Sequence, residues 1–412
     1  MCGGVRQEEP PGLPHRLLTM ARTARPFASL LVTFLVLAWP SASAASVPSR
    51  GGQAVYLAWT SGGLPSGFRE AVRHLPGVVR SVVVAGGTAW LTRAVSAGGR
   101  IVAAPRGLAY PVEVAAVDPS EFRPFLPRAE RATVDLLRRG QGILGSSEAR
   151  VRRMGTGSKF AFETGSVYVG AVLPDRMVGA NELVVSRTVG ARLGIGKDRY
   201  ALLKLAAPRS DGGLSALLRR ILPPGEPLRV RAPGEARYLR EADAALPPVR
   251  LKLAFGEFAA RPAGGNLAMD PAWERRHIAT EPVPILGPVR CNVALFPQLR
   301  RALEEVVRRG LERSIKPSEY GGCYSPRFAL HDPGASISHH SWGAAIDLDV
   351  AENPYGATPR MDPRIVGIFK RWGFRWGGDW LIPDGMHFEY GGKPRTAKPG
   401  ADPFEPWPRL WP

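Results

Sequence analysis

Ser338-His339-His340-Ser341-Trp342-Gly343-Ala344-Ala345-Ile346-Asp347 sets histidines and an aspartate on either side of a glycine, and its reading decides the last third of the chain. Ile346, Leu348 and Val350 alternate with Asp347 and Asp349. That pattern predicts a strand over Ala345–Val350, aliphatic side chains inward and both aspartates on the opposite face. A tight Ser-Trp-Gly bend would bring His340 back beside Asp347. Further on, Asp384-Gly385-Met386-His387-Phe388-Glu389 places His387 between apolar residues, as on a half-buried strand. Two neutral imidazoles and one carboxylate suit Zn²⁺, which needs three protein ligands, an open position for water and a nearby base. His340, Asp347 and His387 are therefore the candidate ligands. Asp384, a few residues before His387, is the candidate base that takes a proton from water and passes it on.

Other residues fall around this set. Arg327 closes the loop Gly321-Gly322-Cys323-Tyr324-Ser325-Pro326-Arg327, where a guanidinium could hold a substrate carboxylate or a developing oxyanion. Tyr324 and Ser338 are expected on the substrate side. His339 reads as an ordinary core or surface histidine, because only His340 has the ligand spacing. Asp349 and Glu389 read as carboxylates that orient ligands or face solvent. Trp342, Trp372, Trp376 and Trp380 read as core and rim packing rather than substrate stacking.

The 412 residues suffice for two or three domains, and an apolar fraction of 44% excludes wholesale disorder. A formal net charge of +19 reads equally as attraction to anionic surfaces, such as phosphate-bearing wall polymers, and as the solvated faces of a chain whose composition is rich in arginine. No arginine-rich helix and no basic tract interleaved with aromatics argues for nucleic acid. Arg22 and Arg25 precede the apolar run Phe27 to Trp39, and Ser41-Ala42-Ser43-Ala44-Ala45 follows, the pattern of a secretory signal cleaved after Ala44. Met20 stands where such a signal would begin, and the run is too short for a stable transmembrane span. Cys2 would leave with this leader. Cys291 and Cys323 then remain, and an exported chain is expected to join them in a disulfide.

Residues 1–44 are thus a leader, 45–247 an α+β region without evident chemistry, and 248–412 the metal-binding domain with a proline-rich tail. The overall class is α+β, the last domain carrying a small antiparallel sheet flanked by helices. Strands are expected at Ala54–Trp59, Val78–Val84, Val112–Val117, Ser166–Val172, Glu182–Val185 and Tyr200–Leu205, with helices at Ala129–Arg139 and Leu214–Leu222. The run from Gly145 to Val185 faintly resembles extracytoplasmic domains of bacterial permeases. Pro247-Pro248 reads as a linker, and alternation of Leu251, Leu253 and Phe255 predicts a strand. Pro262–Gly265 and Glu281–Pro288 read as loops. Pro297 opens a helix with Leu299, Leu303, Val306, Val307 and Leu311 as its buried stripe. A second helix starts at the cap Asp362 and stops at Gly373, and Phe374-Arg375-Trp376 follows as a strand.

Ser-x-His-x-x-Gly-x-Ala-x-Asp followed by Asp-x-Met-His-Phe-Glu resembles the zinc D-alanyl-D-alanine carboxypeptidases of the VanY and M15 peptidase type, over roughly Leu251 to Tyr390. The resemblance implies Zn²⁺ held by His340, Asp347 and His387, with Asp384 as general base. Some members carry glutamate at that position. Arg327 matches the family's substrate-side arginine by order and spacing. The resemblance also implies a secreted, cell-wall-associated bacterial enzyme acting on peptidoglycan stem peptides as a D,D-carboxypeptidase. Alternatives are an L-alanyl-D-glutamate endopeptidase of the same family and a wall-binding module that holds zinc without turnover.

Overall fold

One strand longer than its sequence suggests organises the first region. The computed structural model describes residues 54–241 and 243–394, so the expected signal, its expected cleavage site and the proline-rich tail lie outside the described residues. Ten strands follow in chain order: β1 (Val55–Thr60), β2 (Val78–Val95), β3 (Ile101–Ala103), β4 (Tyr110–Val117), β5 (Gly142–Gly145), β6 (Lys159–Phe162), β7 (Gly165–Leu173), β8 (Leu183–Ser186), β9 (Asp198–Leu205) and β10 (Leu228–Arg231). They pair as β10-β1-β9-β2-β4-β8-β5-β7-β6, and β3 joins β2. The β4–β8 and β5–β7 pairs are parallel and the others antiparallel, so the sheet is mixed. The first half of β2 pairs with β9, and its second half reaches back to β6, so the sheet curls onto itself.

The six expected strands all fall on members of this sheet. The strand expected at Val78–Val84 is longer, because β2 runs on through Gly86-Gly87 to Val95 with a register irregularity at Val84/Ala85. Pairing on both edges overrides the local propensity there. The expected helix at Ala129–Arg139 is divided, a 3₁₀ turn over Arg128–Thr133 leading into an α-helix over Val134–Arg138. Ser210 caps the other, Asp211–Leu218, through its hydroxyl on the Gly213 N–H.

The second region departs from expectation at its start. Pro248–Phe255 is an α-helix, not a strand, and Pro248 occupies its first turn rather than extending a linker. The apparent alternation misleads because Lys252 is itself buried. Leu251 and Phe255, one helical turn apart, share the inward face. The two expected loops are hairpins: β11 (Ala260–Ala263) with β12 (Asn266–Met269), and β13 (Ile278–Val283) with β14 (Gly287–Asn292). Proline is admitted because each two-stranded sheet consists of edge strands only. The Phe296–Arg308 helix buries Leu299, Leu303 and Val306 as expected, but Ala302 takes part in the stripe and Val307 faces solvent. Asp362 caps the Pro363–Arg371 helix by accepting from the Arg364 N–H. The last sheet is small and antiparallel, β15 (Ala345–Asp347), β17 (His387–Tyr390) and β16 (Phe374–Trp376), in that spatial order.

Buried charges join the two regions. Lys252 Nζ lies 2.8 Å from Glu182 Oε1 and 3.1 Å from Glu257 Oε1, and Arg152 contacts Glu148 and Glu257. The cluster thus sets three carboxylates against two cations. Burial, reinforced by the charge of Glu148 and only partly offset by Lys252, pushes Glu182 up to about 8. A carboxyl raised above its ordinary 4.5 binds its proton more tightly folded than unfolded. Its contribution is therefore complete below that ordinary value and is lost as pH rises through about 8. Glu241, pushed up to about 7 by burial, acts in the same direction. Thermal unfolding should show Tm falling across this window, and Glu148→Gln, which removes the surplus negative charge, should reduce the slope. A Tm that rises from pH 5 to pH 8 (about 5 to 8, the window in which linkage to raised carboxyls acts) would refute the assignment.

Candidate metal centre

Pairing of β15 with β17 sets Asp347 directly opposite His387 and Ala345 opposite Glu389. Alternate residues of a strand share a face, so these four lie on one side of the sheet. The small Ala345 leaves room for the Glu389 carboxylate beside His387. His340 arrives from the 3₁₀ turn His339–Trp342, whose N-terminus Ser338 caps by accepting from the His340 N–H. Gly343 ends the turn with φ +61°, and a Cβ there would lie 2.5 Å from the Asn292 nitrogen. That position requires glycine twice over.

The three expected ligands meet. His340 Nε2 is 3.2 Å from Asp347 Oδ2 and 3.2 Å from His387 Nδ1, and His387 Nδ1 is 3.0 Å from Asp347 Oδ1. One ligand atom from each lies within 4.8 Å of the others, and all three side chains are largely buried. The remaining ring nitrogens are also engaged. His340 Nδ1 is 2.8 Å from the Cys323 carbonyl, which only accepts, so this nitrogen carries the proton and Nε2 is left to ligate. His387 Nε2 is 3.3 Å from Glu389 Oε2.

Electrostatics favour a cation here. Burial alone would raise Asp347, but the charges and hydrogen bonds of His340 and His387 hold it well below the ordinary carboxylate range. Burial alone would lower His387, but hydrogen bonds to Asp347 and Glu389 push it up to about 10. Two carboxylates therefore draw positive charge onto the His387 imidazole. A divalent ion replacing the Nδ1 proton satisfies the same field, and the donor set of two nitrogens and one carboxylate fits Zn²⁺.

Asp384 stands beside this set with its Oδ1 buried and without a hydrogen-bond partner among the described residues. Burial raises its pKa, offset in part by His387, His340 and Arg327. Its backbone N–H donates to the Gly377 carbonyl at 2.9 Å, and a Cβ at Gly377 would sit 2.6 Å from the Asp384 carbonyl, so the turn after β16 is closed tightly onto the base position. Trp376 Nε1 donates to the Gly385 carbonyl at 2.8 Å, and the Trp380 ring lies 5.0 Å from that of His387. Trp342 is core. These roles agree with packing and rim.

Arg327 is partly exposed, and its charge bears on Asp384. Its backbone is pinned by Ser341 Oγ and by the Ser338 N–H. Tyr324 is turned elsewhere: its hydroxyl donates to Glu274 at 2.8 Å and its ring lies under Arg290. The Ser338 hydroxyl is engaged in the cap. Asp349 does not share the Asp347 face, because β15 ends at Asp347 and Asp349 turns with φ +51°, its carboxylate accepting from the Lys316 N–H at 2.7 Å. Cys291 and Cys323 form the expected disulfide, so the loop whose carbonyl holds His340 is covalently tied to β14.

Residues 332–390, which contain both motifs, match the family model described as D-alanyl-D-alanine carboxypeptidase. This segment is of the M15 peptidase type. The match covers a short part of the chain and includes all three ligand positions and Asp384. No curated protein matches. Solved structures similar to the chain include the periplasmic region of MacB from Actinobacillus actinomycetemcomitans (10% identity, 44% of this chain, 89% of that one, TM-score 0.31). Others are the extracellular domain of the noncanonic ABC-type transporter YknZ from Gram-positive bacteria (12%, 41% and 92%, 0.28) and a domain of a putative permease from Porphyromonas gingivalis (14%, 46% and 93%, 0.26). At these scores and identities the likeness carries no argument. No helix among the described residues is long and apolar enough to cross a membrane.

Proposed function

We propose that the chain is an extracytoplasmic zinc peptidase that hydrolyses peptidoglycan stem peptides, acting as a D-alanyl-D-alanine carboxypeptidase. The observation that carries this reading is the convergence of His340 Nε2, Asp347 and His387 Nδ1 next to a buried Asp384 oxygen that has no hydrogen-bond partner among the described residues. Zn²⁺ held by those three ligands would supply Lewis acidity to the scissile carbonyl. Asp384 takes the proton of the attacking water on Oδ1 and returns it to the leaving amine. Arg327 holds the substrate carboxylate at the mouth of the site. The disulfide supports an oxidising compartment. The net charge of +19 suits retention on anionic wall polymers.

Digestion of muropeptides with the purified protein tests the reading. Released D-alanine is expected, and a chelator should abolish it. Fragments cut between L-alanine and D-glutamate would instead assign the endopeptidase specificity. No peptide cleavage with zinc present would leave only a zinc-holding module.

A further inference from the structure

The side of His387 that faces away from the ligand cluster is built as carefully as the side that faces it. Glu389 Oε2 lies 3.3 Å from His387 Nε2 and 2.6 Å from His339 Nδ1. The second contact is close but not aligned as a hydrogen bond. Glu389 Oε1 accepts from the backbone N–H of Ala245. Glu389 is 1% exposed and His339 7%, so water does not compete for this carboxylate. Ala245 belongs to the connection between the two regions. That connection is held against the site a second time, where Asp243 Oδ2 accepts from the Leu381 N–H at 2.7 Å.

An unanchored histidine can present either nitrogen to an ion. Here a carboxylate fixed from two sides takes Nε2–H, which leaves Nδ1 for the ion. His340 is locked the opposite way by the Cys323 carbonyl. We propose that Glu389 is a positioning residue that sets His387 to ligate through Nδ1, and that His339 and the Ala245 N–H hold Glu389 in place. His339, a bland histidine by spacing, thereby gains a role. The connecting segment becomes part of the metal site's support rather than a passive link. This inference rests on the zinc site proposed above.

Two measurements test it. Zinc affinity, read by competition with a chromogenic chelator, should fall about 10–100-fold in Glu389→Gln, because glutamine has a single acceptor oxygen and sets an NH2 donor against either the His387 Nε2–H or the Ala245 N–H, the loss typical when a ligand's supporting partner is altered. His339→Gln should weaken binding in the same direction by less. Unchanged affinity in Glu389→Gln overturns the proposal. In the zinc-loaded wild-type protein, ¹⁵N spectra of histidine-labelled chain should show His387 protonated at Nε2 and His340 protonated at Nδ1. That measurement does not depend on a variant folding, and ligation of His387 through Nε2 overturns the proposal. A wild-type protein that binds no zinc defeats the metal site itself, an outcome distinct from wild-type binding with an indifferent Glu389→Gln.

Discussion

Asp384→Asn should retain zinc at wild-type stoichiometry and lower kcat by about 10²–10⁴-fold, the contribution typical of a positioned general base. The substituted amide keeps the shape of the side chain and cannot accept a proton. Asp384 is not among the grouped ligands, so metal content by elemental analysis should not change. Its Oδ1 is buried and makes no hydrogen bond among the described residues, so the substitution breaks no contact at that atom. Thermal stability should therefore be equal to wild type or higher. A buried carboxylate oxygen without a partner lowers stability, and such groups persist where function needs them. Loss of turnover together with loss of zinc would mean that Asp384 supports the ligands. Unchanged turnover would place the base on another residue.

The chemistry was more legible in the sequence than the architecture around it. Ligands must be specific residue types at spacings that strands and turns allow, so His340, Asp347 and His387 stand out from either motif. Contacts made by backbone atoms leave no such trace. Nothing in the residue string tells that the Cys323 carbonyl orients His340 or that the Ala245 N–H anchors Glu389. Tyr324 shows the converse: position in the right loop suggested a substrate role, but Glu274 and Arg290 claim both its hydroxyl and its ring. Alternation past Asp347 predicts a strand as far as Val350, while the chain turns at Asp349 with positive φ, where the carboxylate accepts from the Lys316 N–H. Val307 illustrates a limit of helical periodicity, since a stripe drawn one position too wide takes in a residue that faces solvent.

Lys252→Met should destabilise the protein by about 3–5 kcal/mol, the range observed when one partner of a buried ion pair is removed. Lys252 is the residue that turned an expected strand into a helix. An exposed lysine between leucines fits a strand, but a lysine buried against Glu182 and Glu257 must lie on the inner face with Leu251 and Phe255. Methionine replaces the stem without strain and leaves Glu148, Glu182 and Glu257 facing Arg152 alone. Because Glu182 directly precedes β8 of the curled sheet and Lys252 lies on the helix that opens the second region, the loss should be felt in both regions together. Urea denaturation followed by tryptophan fluorescence and by far-ultraviolet circular dichroism should give coincident transitions, shifted equally to lower urea. Adding Glu182→Gln should recover part of the loss, since the amide can still accept from the Glu113 N–H and has no carboxyl to ionise once Lys252 is gone. A Lys252→Met variant as stable as wild type would show that the network is offset by its own desolvation and contributes nothing net. Separate transitions for the two probes would show instead that the regions unfold independently.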